Sequence, residues 1–324
     1  MKRQLALAAG LAGLALGFPA LADPQQGCCL PNQLFPSDNP WNQDITWAPV
    51  DWRSDDFIWF LNRGGAVRPH PDFGGNVAGD SDRNYGFPYI VVDGWQPRVP
   101  VDFDYPSISD QVGYPIPDDA IWNAHWIQGG LPGQIWDRDE DRHILIVDRD
   151  NNLLYELFNV WFDLGRWRWV AGSGVVWNMW TNDPRPDGMA SADESGMSML
   201  PGILKYDEVY GGDEIMHALR ISVAETNGYV YPATAASGWV GGALPLGARL
   251  RLKSNFDISG YPWDAQKILR AMKRYGLMVT TKCPGEWLLV SGTYDVRWNN
   301  DALNPAFTSL SAWDFEVVQL GWAP

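Results

Sequence analysis

Two pairs of adjacent carboxylates, Asp193-Glu194 and Asp207-Glu208, are the first groups in this sequence equipped for chemistry. Glycoside hydrolysis needs two carboxyl groups in unlike environments, one protonated as general acid and one ionised as nucleophile or base. Asp193-Glu194 follows Arg185-Pro186-Asp187-Gly188 in a Gly/Ser-rich stretch, and Asp207-Glu208 opens the next segment. The two pairs are therefore expected on neighbouring loops. Turn and cap roles on an acidic surface account for each residue separately about as well.

The chain has only four histidines, His70, His125, His143 and His217. His70 and Asp72 flank a proline and precede Phe73-Gly74-Gly75, which predicts a turn carrying substrate-binding side chains. His143 opens an apolar run after Asp141-Arg142. Alternation along residues 215–223 sets His217 with Leu219 and Arg220 on the opposite face, so a regular strand cannot aim both into one cleft. His143 and His217 are candidates for proton transfer or for tuning the carboxylates, and Arg220 for binding substrate. Three histidines with Asp72 or Asp193 would alternatively suit a divalent metal, although no HExxH-type spacing is present. No other cofactor is implied. Gly172-Ser173-Gly174 lacks the nucleophile elbow, and no glycine-rich phosphate loop joins a strand to a helix.

Tryptophan is the compositional outlier, with 19 residues. Trp161, Trp167, Trp169, Trp177 and Trp180 fall within twenty positions, and Trp122 and Trp126 shortly precede them. Sugar rings present C–H faces that stack on flat indoles, while the indole N–H can still donate a hydrogen bond. Trp167 and Trp169 are expected on one strand face and, with Trp177 and Trp180, to form part of a substrate platform. A core accounts for about half of the tryptophans.

The elements that would position these groups are mostly strands. Short apolar runs alternate with turn signals: residues 88–92, a hairpin over 143–147 and 153–158, then 167–171, 215–223, 229–231, 249–252, 287–290 and 315–320. One stretch is helical: Pro262 suits a first position, and Ala265, Ile268, Leu269, Met272 and Tyr275 form one stripe. Lys267, Arg270, Lys273 and Arg274 take the other face, and Gly276 is a C-terminal stop. The expected fold is mostly β, a single-domain β-sandwich or jelly-roll-like structure with one amphipathic covering helix.

Residues 1–22 have the form of a signal peptide: Lys2-Arg3, an apolar run over 5–18, and Ala20-Leu21-Ala22 before Asp23. An irregular N-terminal arm over 23–60 and one β-rich domain over 61–324 are expected to follow. The formal charge of −15 excludes nucleic acid and anionic membrane as main partners, since both require basic patches. No later segment is long and apolar enough to span a bilayer. The protein is expected to be secreted or periplasmic. There, one of Cys28 and Cys29 could bridge to Cys283 and leave one thiol over.

Several phrases occur in a fixed order. They are Phe35-Pro36-Ser37-Asp38-Asn39-Pro40-Trp41-Asn42, His70-Pro71-Asp72-Phe73-Gly74, Asp141-Arg142-His143, Ser191-Ala192-Asp193-Glu194-Ser195-Gly196, Lys205-Tyr206-Asp207-Glu208-Val209 and His217-Ala218-Leu219-Arg220. By these the chain resembles a family of secreted bacterial proteins, often joined to carbohydrate-binding or other extracellular modules. The resemblance implies export and an extracellular-polymer context. It attaches no reaction. In one place the chain departs from it: Trp126-Ile127-Gln128-Gly129 stands where the family pattern has a Pro-Ile-Glu-Gly-type segment before Asp-Arg-His.

Together these features predict a secreted polysaccharide-active enzyme, a glycoside hydrolase using Asp193, Asp207 and Glu208 with His143 and His217. His70, Asp72, Arg220, Trp167, Trp169, Trp177 and Trp180 would bind the polymer. A polysaccharide lyase, a metal-dependent cleaving enzyme and a non-catalytic carbohydrate-binding protein remain alternatives.

Overall fold

The computed structural model describes residues 30–324 except positions 138, 284 and 286. The leader expected over 1–22, Cys28 and Cys29 lie outside the described residues.

The mostly-β class is borne out. In chain order the strands begin with β1 (Arg68–Asp72), β2 (Gly75–Val77), β3 (Asp80–Tyr85), β4 (Tyr89–Val92) and β5 (Val101–Phe103). The middle of the chain gives β6 (Ile144–Asp148), β7 (Leu153–Phe158), β8 (Trp161–Asp163), β9 (Arg168–Ala171) and β10 (Ser173–Asn178). Last come β11 (Leu219–Val223), β12 (Arg249–Leu252), β13 (Leu277–Lys282), β14 (Trp287–Ser291) and β15 (Phe315–Val317). The helices are α1 (Ser54–Leu61), α2 (Asp119–Trp122), α3 (Tyr206–Tyr210), α4 (Trp263–Arg274) and α5 (Asn300–Thr308).

Six strands form the larger sheet in the order β1-β14-β11-β13-β12-β15, and four form a second in the order β10-β7-β6-β4. Both are mixed: β1/β14, β11/β13 and β4/β6 are parallel, whereas β6/β7, β7/β10 and β12/β15 are antiparallel. The hairpin β6/β7 is the one expected from the sequence.

One face of the large sheet is apolar and covered by helices. Leu219, Ile221 and Val223 of β11 share a cluster with Ala265, Ile268, Leu269 and Met272 of α4 and with Leu303 and Phe307 of α5. Each large side chain of that kind contributes roughly 1.5–3 kcal/mol when fully buried. α4 begins at Trp263, so Pro262 is its cap and not its first residue. Gly276 ends it at φ 77°, and a Cβ there would meet the Leu250 carbonyl at 2.4 Å. Lys267 departs from the expected outer face. It is buried and donates Nζ to the carbonyls of Val209 and Gly211, at the end of α3.

The opposite face of the large sheet is polar, because the alternate residues of β11 and β12 are arginines. Arg249 and Arg251 donate to carbonyls of the N-terminal segment: Pro40 and Gln43 for the first, Ile45, Thr46 and Ala48 for the second. The arm expected to be irregular is thus pinned across the sheet, and it contains α1. Residues 191–204 fill the space next to it. Leu200 and Ile203 pack on the second sheet with Tyr89, Leu145 and Leu154, while Gly202 lies on the side chains of Trp41 and Arg220. Among the described residues no helix is long and apolar enough to cross a membrane.

Candidate active site

His70 and Asp72 are not on a turn. They alternate with Pro69 and Pro71 along β1, a terminal strand of the large sheet, where proline is tolerated. The register pairs His70 with Leu289 and Asp72 with Ser291 of β14. From β11, Arg220 donates Nη1 to Ser291 Oγ at 2.9 Å. Three neighbouring strands therefore bring Asp72, Ser291 and Arg220 to one place.

Arg220 holds the Gly/Ser-rich loop through Asp193. Its Nε and Nη2 lie 2.9 and 2.8 Å from Asp193 Oδ2, and Oδ1 accepts the Ser195 N–H and hydroxyl at 3.1 and 3.2 Å. Both side chains are buried, so the pair depends on these hydrogen bonds to offset its desolvation. The guanidinium also faces the Phe87 ring, 5.5 Å from its centroid.

His143 is just as enclosed. Its ring centroid is 5.9 Å from that of Phe87 and 5.4 Å from that of Phe158, and Nδ1 has no hydrogen-bond partner. Burial, with the charge of Arg220, pulls its pKa down to about 3, against a weaker pull upward from Asp193. It is neutral at physiological pH. In the Asp141-Arg142-His143 motif the middle residue is structural: Arg142, at φ 49°, donates to the carbonyls of Val160, Pro132 and Leu131. That bend leaves Asp141 exposed while His143 points inward. Gln128, where the family pattern has glutamate, exchanges hydrogen bonds with the backbone of His143, through Oε1 at 3.2 Å and N–H at 2.9 Å.

Asp72 is the carboxyl of this arrangement with the most altered proton affinity. Burial pushes its pKa up to about 6 although Arg220 pulls the other way. The residue as a whole is half-buried. Glu140 and Cys283 lie within electrostatic reach of it and of Asp141. Burial, Asp137, Asp141 and Asp72 raise Glu140 against the opposing charge of Arg83. Burial, Asp141 and Asp72 raise the Cys283 thiol. Burial lowers His70.

Asp207, Glu208 and His217 lie elsewhere. The acidic pair is not on a loop but in the first turn of α3. Glu208 is buried against Lys205, with Oε1 2.7 Å from Nζ, and accepts the Lys205 N–H at 2.9 Å. His217 Nε2 is 3.2 Å from both Glu208 oxygens, and its Nδ1 faces the Ala218 carbonyl at 2.9 Å. Burial alone would raise Glu208; Lys205 and His217 overcome it and hold the carboxyl at about 2. Asp207 is exposed near Arg297. His217 and Arg220 thus occupy separate polar clusters, but not through strand alternation: β11 begins only at Leu219, so the strand expected over 215–223 is shorter and His217 precedes it.

Sequence reasoning passed over Glu156, on β7. It is fully buried and accepts the amides of Met199 and Leu200 and the indole N–H of Trp177. Burial raises it to about 7 against these three donors. A lone glutamate inside Leu153-Leu154-Tyr155-Glu156-Leu157-Phe158 was the available signal. The tryptophans divide. Trp169 and Trp177 are buried, whereas Trp167 and Trp180 are 66% and 74% exposed. Trp167 also precedes β9, at φ 51°, so it does not share a strand face with Trp169. Among the described residues no three His, Cys, Asp or Glu side chains are placed to hold one metal ion. No family model, curated protein or solved structure matches the chain, and the site's own geometry carries its functional reading.

Proposed function

We propose that the protein is a carbohydrate-active hydrolase working on an extracellular polymer, with Asp72 as its general acid. What supports this reading is the Asp72 carboxyl, which burial pushes up to about 6, within electrostatic reach of a guanidinium held by Ser291 and Asp193. Such a group donates its proton to a departing glycosidic oxygen, and Arg220 steadies the carboxylate that remains. Asp141, an exposed carboxylate whose charge reaches Glu140 and Cys283 as that of Asp72 does, is the partner that takes a proton from the attacking water. The cleaved bond yields a reducing end and an alcohol, and solvent reprotonates Asp72. Asp193, Ser195 and Ser291 position Arg220; neutral His143 packs the floor.

The lyase alternative asks Arg220 to bind a uronate, but its side chain is buried and already committed to Asp193 and Ser291. The tryptophans favour a carbohydrate partner: among the described residues, 11 of them are at least 48% exposed. An N-terminal leader and an extracellular setting belong to the same reading. The test is a panel of polysaccharides incubated with the purified protein and with Asp72→Asn, followed by reducing-end and 235 nm absorbance. New reducing ends without absorbance, abolished in the variant, support hydrolysis. Absorbance at 235 nm would mean elimination, and binding without cleavage would mean recognition alone.

A further inference from the structure

We infer that a groove between Trp122 and Trp167 is a second carbohydrate-binding site, one that holds a neutral glycan chain away from the proposed cleavage site. The inference rests on the carbohydrate part of the reading above, not on its hydrolytic part. The groove lies between α2 and the small sheet β5-β9-β8, elements that supply none of the residues around Asp72. Its volume of about 260 Å³ is just under the ~300 Å³ at which ordinary small-molecule pockets begin. That suits a small sugar unit of a chain running across the surface.

The walls are built for stacking. Trp167 and Trp122 are 66% and 48% exposed, with ring centroids 6.2 Å apart and planes inclined by 46°. Phe162 meets Trp167 edge-on at 5.2 Å and Trp169 likewise at 5.2 Å, which fixes the exposed indole from below. Trp167 also sits at φ 51°, a conformation that costs a bulky residue energy and turns it out of the strand that follows. Its ring contacts with Phe162 and Trp122 brace the indole yet leave two thirds of the residue exposed.

The rim selects for a neutral ligand. Arg166 pairs with Asp163 at 2.7 Å and with Asp102 at 3.2 Å, and Arg168 pairs with Asp102 at 2.9 Å. The two guanidiniums are matched by Asp102 and Asp163, and the exposed Asp118 on the groove's lining adds a third carboxylate, leaving donors and acceptors side by side with a slight negative balance. Vicinal sugar hydroxyls, each both donor and acceptor, match such a rim, and the C–H faces match the indoles. An apolar peptide would leave the rim unused, and an acidic polymer would meet the carboxylates.

The test is native electrophoresis of the full chain through gels containing starch, xylan, galactomannan or polygalacturonate, with cellulose pull-down alongside. The forms compared are the unaltered chain, Trp122→Ala, Trp167→Ala, Asp72→Asn and Trp95→Ala, whose indole is 92% exposed elsewhere. At least one neutral polymer should retard the chain, and each groove variant should weaken that retention roughly 2- to 10-fold. Trp95→Ala and Asp72→Asn should bind as the parent does. Far-UV spectra and melting curves confirm that the variants are folded. If no polymer is cleaved yet retention still depends on Trp122 and Trp167, the hydrolase reading fails and the binding site stands. Retention unchanged in both groove variants, retention by polygalacturonate alone, self-association through the groove, or no retention at all would overturn it.

Discussion

Glu208→Gln separates stability from chemistry in the Lys205–Glu208–His217 cluster. Glu208 moves from an ordinary value of 4.5 to about 2, a difference worth about 3 kcal/mol at 1.36 kcal/mol per pKa unit. The sign follows from the direction: a carboxyl depressed by folding stabilises fully above about pH 4.5, and that contribution is lost as pH falls towards 2. The substitution also strands the buried Lys205 ammonium, and breaking one side of a buried pair costs about 3–5 kcal/mol. Urea unfolding at pH 7, followed by tryptophan fluorescence, should therefore give a variant about 3 kcal/mol less stable with an unchanged slope. The gap should narrow at pH 3 and nearly close at pH 2. Lys205→Met combined with Glu208→Leu should recover part of the loss, since no charge is left unpaired. A Glu208→Gln protein within about 0.5 kcal/mol of the parent at pH 7 would refute the argument. A stable variant that had lost turnover would return Glu208 to the chemistry.

Turnover should fall as pH rises through about 6, because Asp72 must carry its proton to act, and Asp72→Asn should remove both the activity and that limb of the profile. Gly202→Val should lower the melting temperature by roughly 4–8 °C: a Cβ there would meet the Trp41 ring at 2.3 Å and Arg220 Cβ at 3.0 Å, overpacking worth about 2 kcal/mol. Arg251→Met should strip the donor from the carbonyls of Ile45, Thr46 and Ala48, at about 1–3 kcal/mol for each group left unsatisfied. Limited proteolysis should then cut the N-terminal arm first.

Much of this was legible in the sequence where periodicity was clean. The hairpin β6/β7 and the body of α4 follow from apolar spacing that no competing signal disturbs. β1 was hidden because two prolines in five residues argue against a strand, and only its terminal place in the sheet makes them acceptable. α1 was hidden because no side chain caps its start and its segment looks like the polar arm around it. Within the candidate site, motif order marked Asp72, His143, Asp193 and Arg220, but spacing could not divide the carboxylates between two polar clusters. That division depends on β11 beginning only after His217, and on Lys205, whose burial no local pattern announces.

The prolines of β1 have a consequence beyond local geometry. The Asp72 carbonyl accepts from Gly292 on the β14 side, so alternation aims the backbone of Pro69 and Pro71 at the outer margin of the sheet, where both residues are buried. Neither residue has an N–H to offer there. A stray extended segment from a neighbouring molecule finds carbonyls but no row of donors along that border, and cannot zip onto it. Chains held close together would be kept from joining edge to edge at the very strand that bears Asp72.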